Sequence, residues 1–158
     1  MKTLIVLRHG KAEHHSVGQT DFQRALAPRG LRDSQRVGEL LAEKNLVPDA
    51  IVSSSASRAM TTAEQVAEAS GFAGDVAFTE AIYEAGLATL LSVVREIDEA
   101  ASLALIVGHN PGFWSLTETL SEPVAQFPTC AWSQIEIDVE HWGEVTELSR
   151  GELIELWY

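Results

Sequence analysis

The stretch Leu103-Ala104-Leu105-Ile106-Val107-Gly108-His109-Asn110-Pro111-Gly112 runs five apolar residues into an abrupt polar turn. A run that is apolar at every position fits a strand buried on both faces, as in a parallel sheet covered by helices. Pro111 and Gly112 then favour the start of a helix, with Asn110 as its candidate cap and Pro111 in the first turn. The same pattern stands near the N-terminus. Thr3-Leu4-Ile5-Val6-Leu7 reads as a second strand buried on both faces, and it too ends in a polar turn, Arg8-His9-Gly10.

The intervening chain alternates between helix and strand signals. After Pro28 and Gly30, the residues Leu31, Val37, Leu40 and Leu41 have roughly helical spacing. Asp49 to Val52 is a short strand, and Ser57 is placed to cap a helix that runs to about Ser70, with Gly71 as its stop. Val76 to Thr79 reads as a weaker strand. Leu87, Leu90, Leu91, Val94 and Ile97 then mark one face of the clearest helix in the chain. Ser133 to Val139 alternates in polarity and Glu152 to Trp157 continues as a strand, so these two can pair antiparallel at a sheet edge. The order β-α-β-α-β-α-β-α-β-β predicts an α/β fold of three layers, α/β/α, with a mostly parallel central sheet and an antiparallel edge. One domain over residues 1–158 is expected, without repeats or linkers. In such sheets ligands bind at the carboxyl ends of the strands.

Composition narrows the possibilities further. With 46% apolar and 22% charged residues among 158, the chain has the make-up of a packed globular protein. Its longest apolar run, five residues, is too short for a membrane span or a secretory core, so no membrane partner is expected. The single cysteine, Cys130, offers neither an intrachain disulfide nor a thiolate cage and is compatible with a reducing, cytoplasmic setting. A net charge of −12 argues against nucleic-acid binding. That charge is unevenly spread: residues 1–60 carry +3 and residues 61–158 carry −15. If the few basic groups converge, an acidic protein still focuses positive potential on a small anion. Arg29, Arg32 and Arg36 fit a solvated helix face equally well.

Four residues carry the chemistry. His9 and His109 each follow a strongly apolar strand and each sits beside a glycine, so a parallel sheet brings both to the same edge. Arg8 directly precedes the first histidine, and Arg58 lies after the second strand at that edge. Guanidinium groups offer paired donors that match phosphate oxygens, and a histidine serves as nucleophile, acid or further donor. Together they suit phosphoryl transfer, in which charge spreads over the oxygens of the moving group. A two-histidine metal site lacks a third ligand at suitable spacing, and the neighbouring arginines would repel a cation, so neither metal nor cofactor is expected.

Arg8-His9-Gly10, the stretch Ser54-Ser55-Ala56-Ser57-Arg58-Ala59-Met60-Thr61-Thr62-Ala63, and Gly108-His109-Asn110 resemble the three signatures of the histidine phosphatase, or phosphoglycerate mutase-like, superfamily. Short length, Asp21-Phe22-Gln23-Arg24-Ala25-Leu26-Ala27-Pro28-Arg29-Gly30 and Gly108-His109-Asn110-Pro111-Gly112 bring the chain closer to the SixA-like phosphohistidine phosphatases. The resemblance spans about residues 1–125. It implies His9 as nucleophile, Arg8 and Arg58 as holders of the phosphoryl oxygens, and His109 as a further donor. Neighbouring arginines favour the neutral His9 that nucleophilic attack requires. Arg24 matches a phosphate-facing arginine of the SixA-like group. Gly10 reads as a place where phosphate approaches the backbone or as a plain turn glycine, and Asn110 as a pocket wall or a helix cap. Glu84 is the nearest match for the glutamate that protonates the leaving oxygen in larger relatives, with Glu80 as competitor.

Lys11, His14 and His15 line the rim or are simply exposed, and Phe113 and Trp114 belong to the rim or to the core. The short chain leaves little material for a lid, so a shallow, open site is expected, suited to a phosphorylated side chain displayed by another protein. A small-molecule phosphomonoesterase on the same scaffold is the alternative. A binding module that has lost the reaction is the third reading.

Overall fold

Two strands at the centre of the sheet set the frame for everything else. The computed structural model describes residues 1–158 and contains six strands and four α-helices. The strands are β1 (Lys2–Arg8), β2 (Ala50–Ser54), β3 (Ala77–Thr79), β4 (Leu103–Gly108), β5 (Trp132–Ile137) and β6 (Gly151–Trp157). They form one sheet in the order β3-β2-β4-β1-β5-β6. The first four strands of that order run parallel, whereas β5 is antiparallel to both β1 and β6. The expected three-layer α/β/α architecture is present, with β5 and β6 as its antiparallel edge.

Alternation along the central strands feeds two separate cores. Leu4 and Val6 of β1 join Ala104 and Ile106 of β4 on one face, beneath α3 (Leu87–Arg95) and α4 (Gly112–Leu120). Ile5 and Leu7 join Leu105 and Val107 on the other face, beneath α1 (Pro28–Glu43) and α2 (Ser57–Ser70). Unbroken apolar runs are therefore needed, because Leu4 to Leu7 and Ala104 to Val107 are buried at every position. Helices α1 and α2 carry the chain outward from β1 to β3. Helix α3 then brings it back over the opposite face, which is what right-handed crossovers demand when the strand order reverses.

The reversal creates a crevice. From the carboxyl end of β1 the chain leaves toward one face, and from the carboxyl end of β4 it leaves toward the other. The loops diverge between these adjacent strands, and ligand sites of open α/β sheets lie at such a point. The pairing of Arg8 with Gly108 places His9 and His109 one residue beyond it on neighbouring strands.

Helix boundaries shift in small ways from the sequence expectation. Ser57 is the first residue of α2, not its cap, and the Ala56 N–H is taken by the Ser54 hydroxyl at 3.1 Å. Helix α3 ends at Arg95, so Ile97 reaches the core from the following turn. Asn110 lies two residues before α4, yet its Oδ1 accepts the Trp114 N–H at 3.2 Å and so does a cap's work from outside. Phe113 is fully buried in the core, and Trp114, half-buried, donates its indole N–H to the Val124 carbonyl. Arg29 and Arg36 form exposed pairs with carboxylates along α1, which makes that basic stretch a solvated helix face.

Helices α1 and α2 touch where Gly38 meets the Val66 carbonyl and Ala69. A Cβ built at Gly38 would stand 2.6 Å from the Ala69 Cβ and 2.8 Å from the Val66 oxygen. Gly38→Val is therefore expected to pry the two helices apart and to lower unfolding free energy by about 1–3 kcal/mol, the usual cost of overpacking. Urea denaturation of the variant against the parent chain measures it.

Candidate active site

His9 is held by its own backbone. Its N–H donates to the Gly108 carbonyl at 2.9 Å, and its ring Nδ1 stands 2.7 Å from the Gly10 carbonyl. A carbonyl oxygen only accepts, so Nδ1 carries the proton and Nε2 of the neutral ring presents its lone pair. That nitrogen faces the Arg58 Nε–H at 3.4 Å. The His9 and His109 rings lie 5.2 Å apart, centre to centre. Burial, with the nearby His109, Arg58 and Arg8 charges adding to it, pushes the His9 imidazolium down to about 3. His109 falls to about 4 for the same leading reason, followed by the charge of Arg58. Both rings are neutral at physiological pH.

The two arginines are braced differently. Arg58 is buried on the first turn of α2 and sends Nη1 to the main-chain oxygen of Asp21 at 2.7 Å and Nη2 to its carboxylate at 3.0 Å. Arg8 donates Nη1 to the Phe127 carbonyl at 3.2 Å, and its buried Nε has no partner within the protein. Desolvation, then the charge of Arg58, lowers the Arg8 guanidinium from its ordinary value. His109 Nδ1 is a second buried atom of this group without a partner. Its Nε2 lies 2.8 Å from the Ser54 hydroxyl. Buried polar groups are normally satisfied, so two orphaned nitrogens in one cluster mark a place built for a polar ligand. A cavity of about 440 Å³ lies elsewhere, at the amino ends of β2 and β4 between Ala50, Phe72, Ala77 and Ile97.

The remaining expected residues take different places. Arg24 lies beside the cluster and reaches it through Asp21, to which its Nε donates at 2.9 Å, while Nη1 binds the Glu13 carbonyl. Asn110 donates Nδ2 to the Phe127 carbonyl at 2.7 Å, the same oxygen that takes Arg8, and so builds a wall. At Gly10 a Cβ would stand 2.8 Å from the Gly30 oxygen and 3.2 Å from the Cys130 sulfur. Its small size is thus required by the packing of the β1 end against α1. Lys11, His14 and His15 are exposed.

Glu84 is not brought to the histidines. It stands at φ 54 on the turn after Tyr83, its side chain exposed and without a hydrogen bond to any member of the cluster. It is Tyr83, its neighbour in the chain, that faces the cluster. Its ring meets His109 edge-on at 5.5 Å, and its hydroxyl donates to the Asp21 carboxylate at 2.6 Å. Glu80 is likewise exposed.

Sequence reading missed Ser54, Asp21 and Tyr83. Asp21 and Ser54 stand inside stretches that already stood out, Asp21 three residues before Arg24 and Ser54 four before Arg58. Tyr83 immediately precedes Glu84. No group of three or more His, Cys, Asp or Glu gathers anywhere in the fold as a metal site would require, and no helix is long and apolar enough to cross a membrane.

This arrangement, a neutral imidazole flanked by guanidiniums at a sheet switch point, has counterparts in known proteins. Residues 4–99 match the sequence profile of the histidine phosphatase superfamily, branch 1. The chain belongs to that superfamily. An uncharacterized protein of Mycobacterium tuberculosis is 27% identical over 150 residues, covering 88% of this chain and 91% of the relative. A crystal structure assigned to the phosphohistidine phosphatase SixA of Agrobacterium tumefaciens superposes with a TM-score of 0.85 at 25% identity, over 99% of this chain and 97% of the other. The protein histidine phosphatase SixA solved with tungstate has the same fold, with a TM-score of 0.79 at 20% identity, covering 98% of this chain and 95% of that one. A 2,3-bisphosphoglycerate-dependent phosphoglycerate mutase of Rhodococcus opacus is 40% identical over 65 residues, which is 39% of this chain and a quarter of the mutase. The chain is therefore a SixA-like α/β phosphatase.

The depressed histidines have a consequence for stability. Both fold with pKa values below the 6.5 of a free imidazole, so the unfolded chain binds protons that the native chain does not. Their contribution is complete above about 6.5 and is lost progressively as pH falls toward 4. Asp21, held near 2 chiefly by the Tyr83 hydroxyl, adds its own loss as pH falls from the ordinary value of 3.8 toward 2. Urea unfolding of the double variant His9→Gln/His109→Gln is expected to show a flatter pH dependence between about 6.5 and 4 than the parent.

Proposed function

We propose that this phosphatase removes the phosphoryl group from phosphohistidine on a partner protein, by way of a covalent phosphohistidine at its own His9. The observation that carries this reading is that the one carboxylate at the site, Asp21, is held ionised by Arg58, Arg24 and Tyr83. An alkoxide leaving group needs a proton from an acid poised near neutral pH. A carboxylate held near 2 cannot serve, and Glu84 stands apart. The imidazole of phosphohistidine leaves as a neutral ring when protonated on its far nitrogen, so this site suits it.

In the proposed reaction His9 Nε2 attacks phosphorus in line, while Arg8 Nε, the Arg58 edge and His109 hold the equatorial oxygens. When Ser54 donates its hydroxyl proton to His109 Nε2, His109 Nδ1 carries the ring proton and donates it toward the anion. Water then hydrolyses the N–P bond of His9. Gly10 holds the nucleophile through its carbonyl, Asn110 walls the pocket, and Arg24 adds positive charge beside Asp21. The positive charge comes from arginine side chains, so the proposed reaction proceeds without metal or other cofactor; a cytoplasmic setting and a single domain over residues 1–158 complete the proposal. Similarity to the SixA structures supports a protein-borne substrate over a small metabolite.

Single-turnover labelling with a phosphohistidine protein is expected to trap an acid-labile phosphate on the parent enzyme and none on His9→Ala; normal turnover by that variant would defeat the assignment. Arg58→Ala is expected to lower kcat by about 10²–10³, the usual loss when a transition-state donor is removed. EDTA is expected to leave the rate unchanged.

A further inference from the structure

The scheme above gives Asp21 no step of its own, yet its carboxylate stands at the entrance to the cluster. One oxygen accepts from Arg58 Nη2 at 3.0 Å and from the Tyr83 hydroxyl at 2.6 Å, and the other from Arg24 Nε at 2.9 Å. Nε of the same Arg58 guanidinium meets His9 Nε2 at 3.4 Å. A single planar group thus separates the attacking nitrogen from the carboxylate. A carboxylate offers about four lone-pair positions. Three are used here, and the side chain is 48% exposed. Tyr83 frames the same space, with its ring edge-on to His109 at 5.5 Å and to Phe22 at 5.0 Å and with the Arg58 guanidinium 5.9 Å from its centre.

The geometry points to Asp21 as the residue that selects a nitrogen leaving group, accepting a hydrogen bond from the protonated far nitrogen of the substrate imidazole. This inference rests on the phosphohistidine reading above. As the His9 Nε2 lone pair forms the new N–P bond, the substrate N–P bond breaks and its electron pair returns to the leaving ring nitrogen. The ring keeps its other proton throughout and departs as neutral imidazole, so no proton changes hands. With an ester the departing oxygen gains negative charge facing a carboxylate, and the same side chain then opposes the reaction.

The charged and titratable groups around Asp21 fit this role. Arg58 comes from α2 and Arg24 from its own loop, while Tyr83 comes from the turn after β3 and His109 from the end of β4; the exposed Glu84 acts on Tyr83 and not directly on Asp21. The two cations and the phenol keep Asp21 charged across the working pH range. Held there, it raises the pKa of a bound phosphohistidine ring and extends the range in which the ring stays protonated.

The test compares Asp21→Asn with the parent enzyme on a phosphohistidine-bearing protein and on p-nitrophenyl phosphate. Asparagine retains an acceptor for Arg58 and loses the charge. Both rates are expected to fall as the Arg58 brace weakens, but the ratio of kcat/KM for phosphohistidine to that for the ester is expected to drop about tenfold or more, the worth of a charge-assisted hydrogen bond. The alkaline limb of kcat on phosphohistidine, which reports the bound state, is expected to move to lower pH in the variant. An unchanged ratio and limb would reduce Asp21 to a brace for Arg58, and a rise in both rates would make it a competitor of the phosphoryl group. Either result overturns the inference while leaving the phosphohistidine reading in place. A parent enzyme that hydrolyses the ester and leaves phosphohistidine untouched overturns both.

Discussion

The parallel pairing of β1 with β4 is the contact on which the site depends. These strands are far apart in the chain and adjacent in the sheet, and each is buried on both faces. Their register is pinned by the two cores, because a shift of one residue would turn Leu4 and Val6 toward the helices that Ile5 and Leu7 face. With the register set, Arg8 lies opposite Gly108, and the following residues of both strands are histidines. Their rings, one residue past the paired strand ends, lie 5.2 Å apart.

Electrostatics then gives those positions their character. Two guanidiniums and two imidazoles share a partly desolvated space, and the system answers by leaving the imidazoles neutral. Arginine is the suitable partner because it holds its charge where histidine gives it up. Asp21 offsets part of the excess positive charge from the solvent side. Nucleophile readiness and anion affinity thus arise from one distribution of charge.

Most of the architecture was legible because it rests on periodicity. Continuous apolar runs marked β1 and β4, spacing marked α3, and the order of elements led to the three layers. His9, Arg8, Arg58 and His109 were legible because matched strand ends and a family resemblance pointed to them. Asp21 and Tyr83 were not, since their meeting depends on how the loop before α1 folds over the turn after β3, and no local pattern encodes such a contact. Glu84 looked suitable by its place in the order of motifs. In the fold it is exposed on a turn with a left-handed backbone, and side-chain type alone does not reveal this. Gly10 shows the converse, since its neighbour Gly30 lies twenty residues away in the chain.

Residues after 125 carried little sequence signal, yet they supply a fixture of the site. The Phe127 carbonyl receives both Arg8 and Asn110. Nearby, the Cys130 N–H reaches back to the carbonyls of Arg8 and His9 at 3.2 and 3.0 Å. These anchors are main-chain atoms, so replacing side chains along this strap leaves them standing. The strap can vary widely in composition and still hold a guanidinium in place, which makes a weakly patterned segment compatible with an exacting mechanical duty.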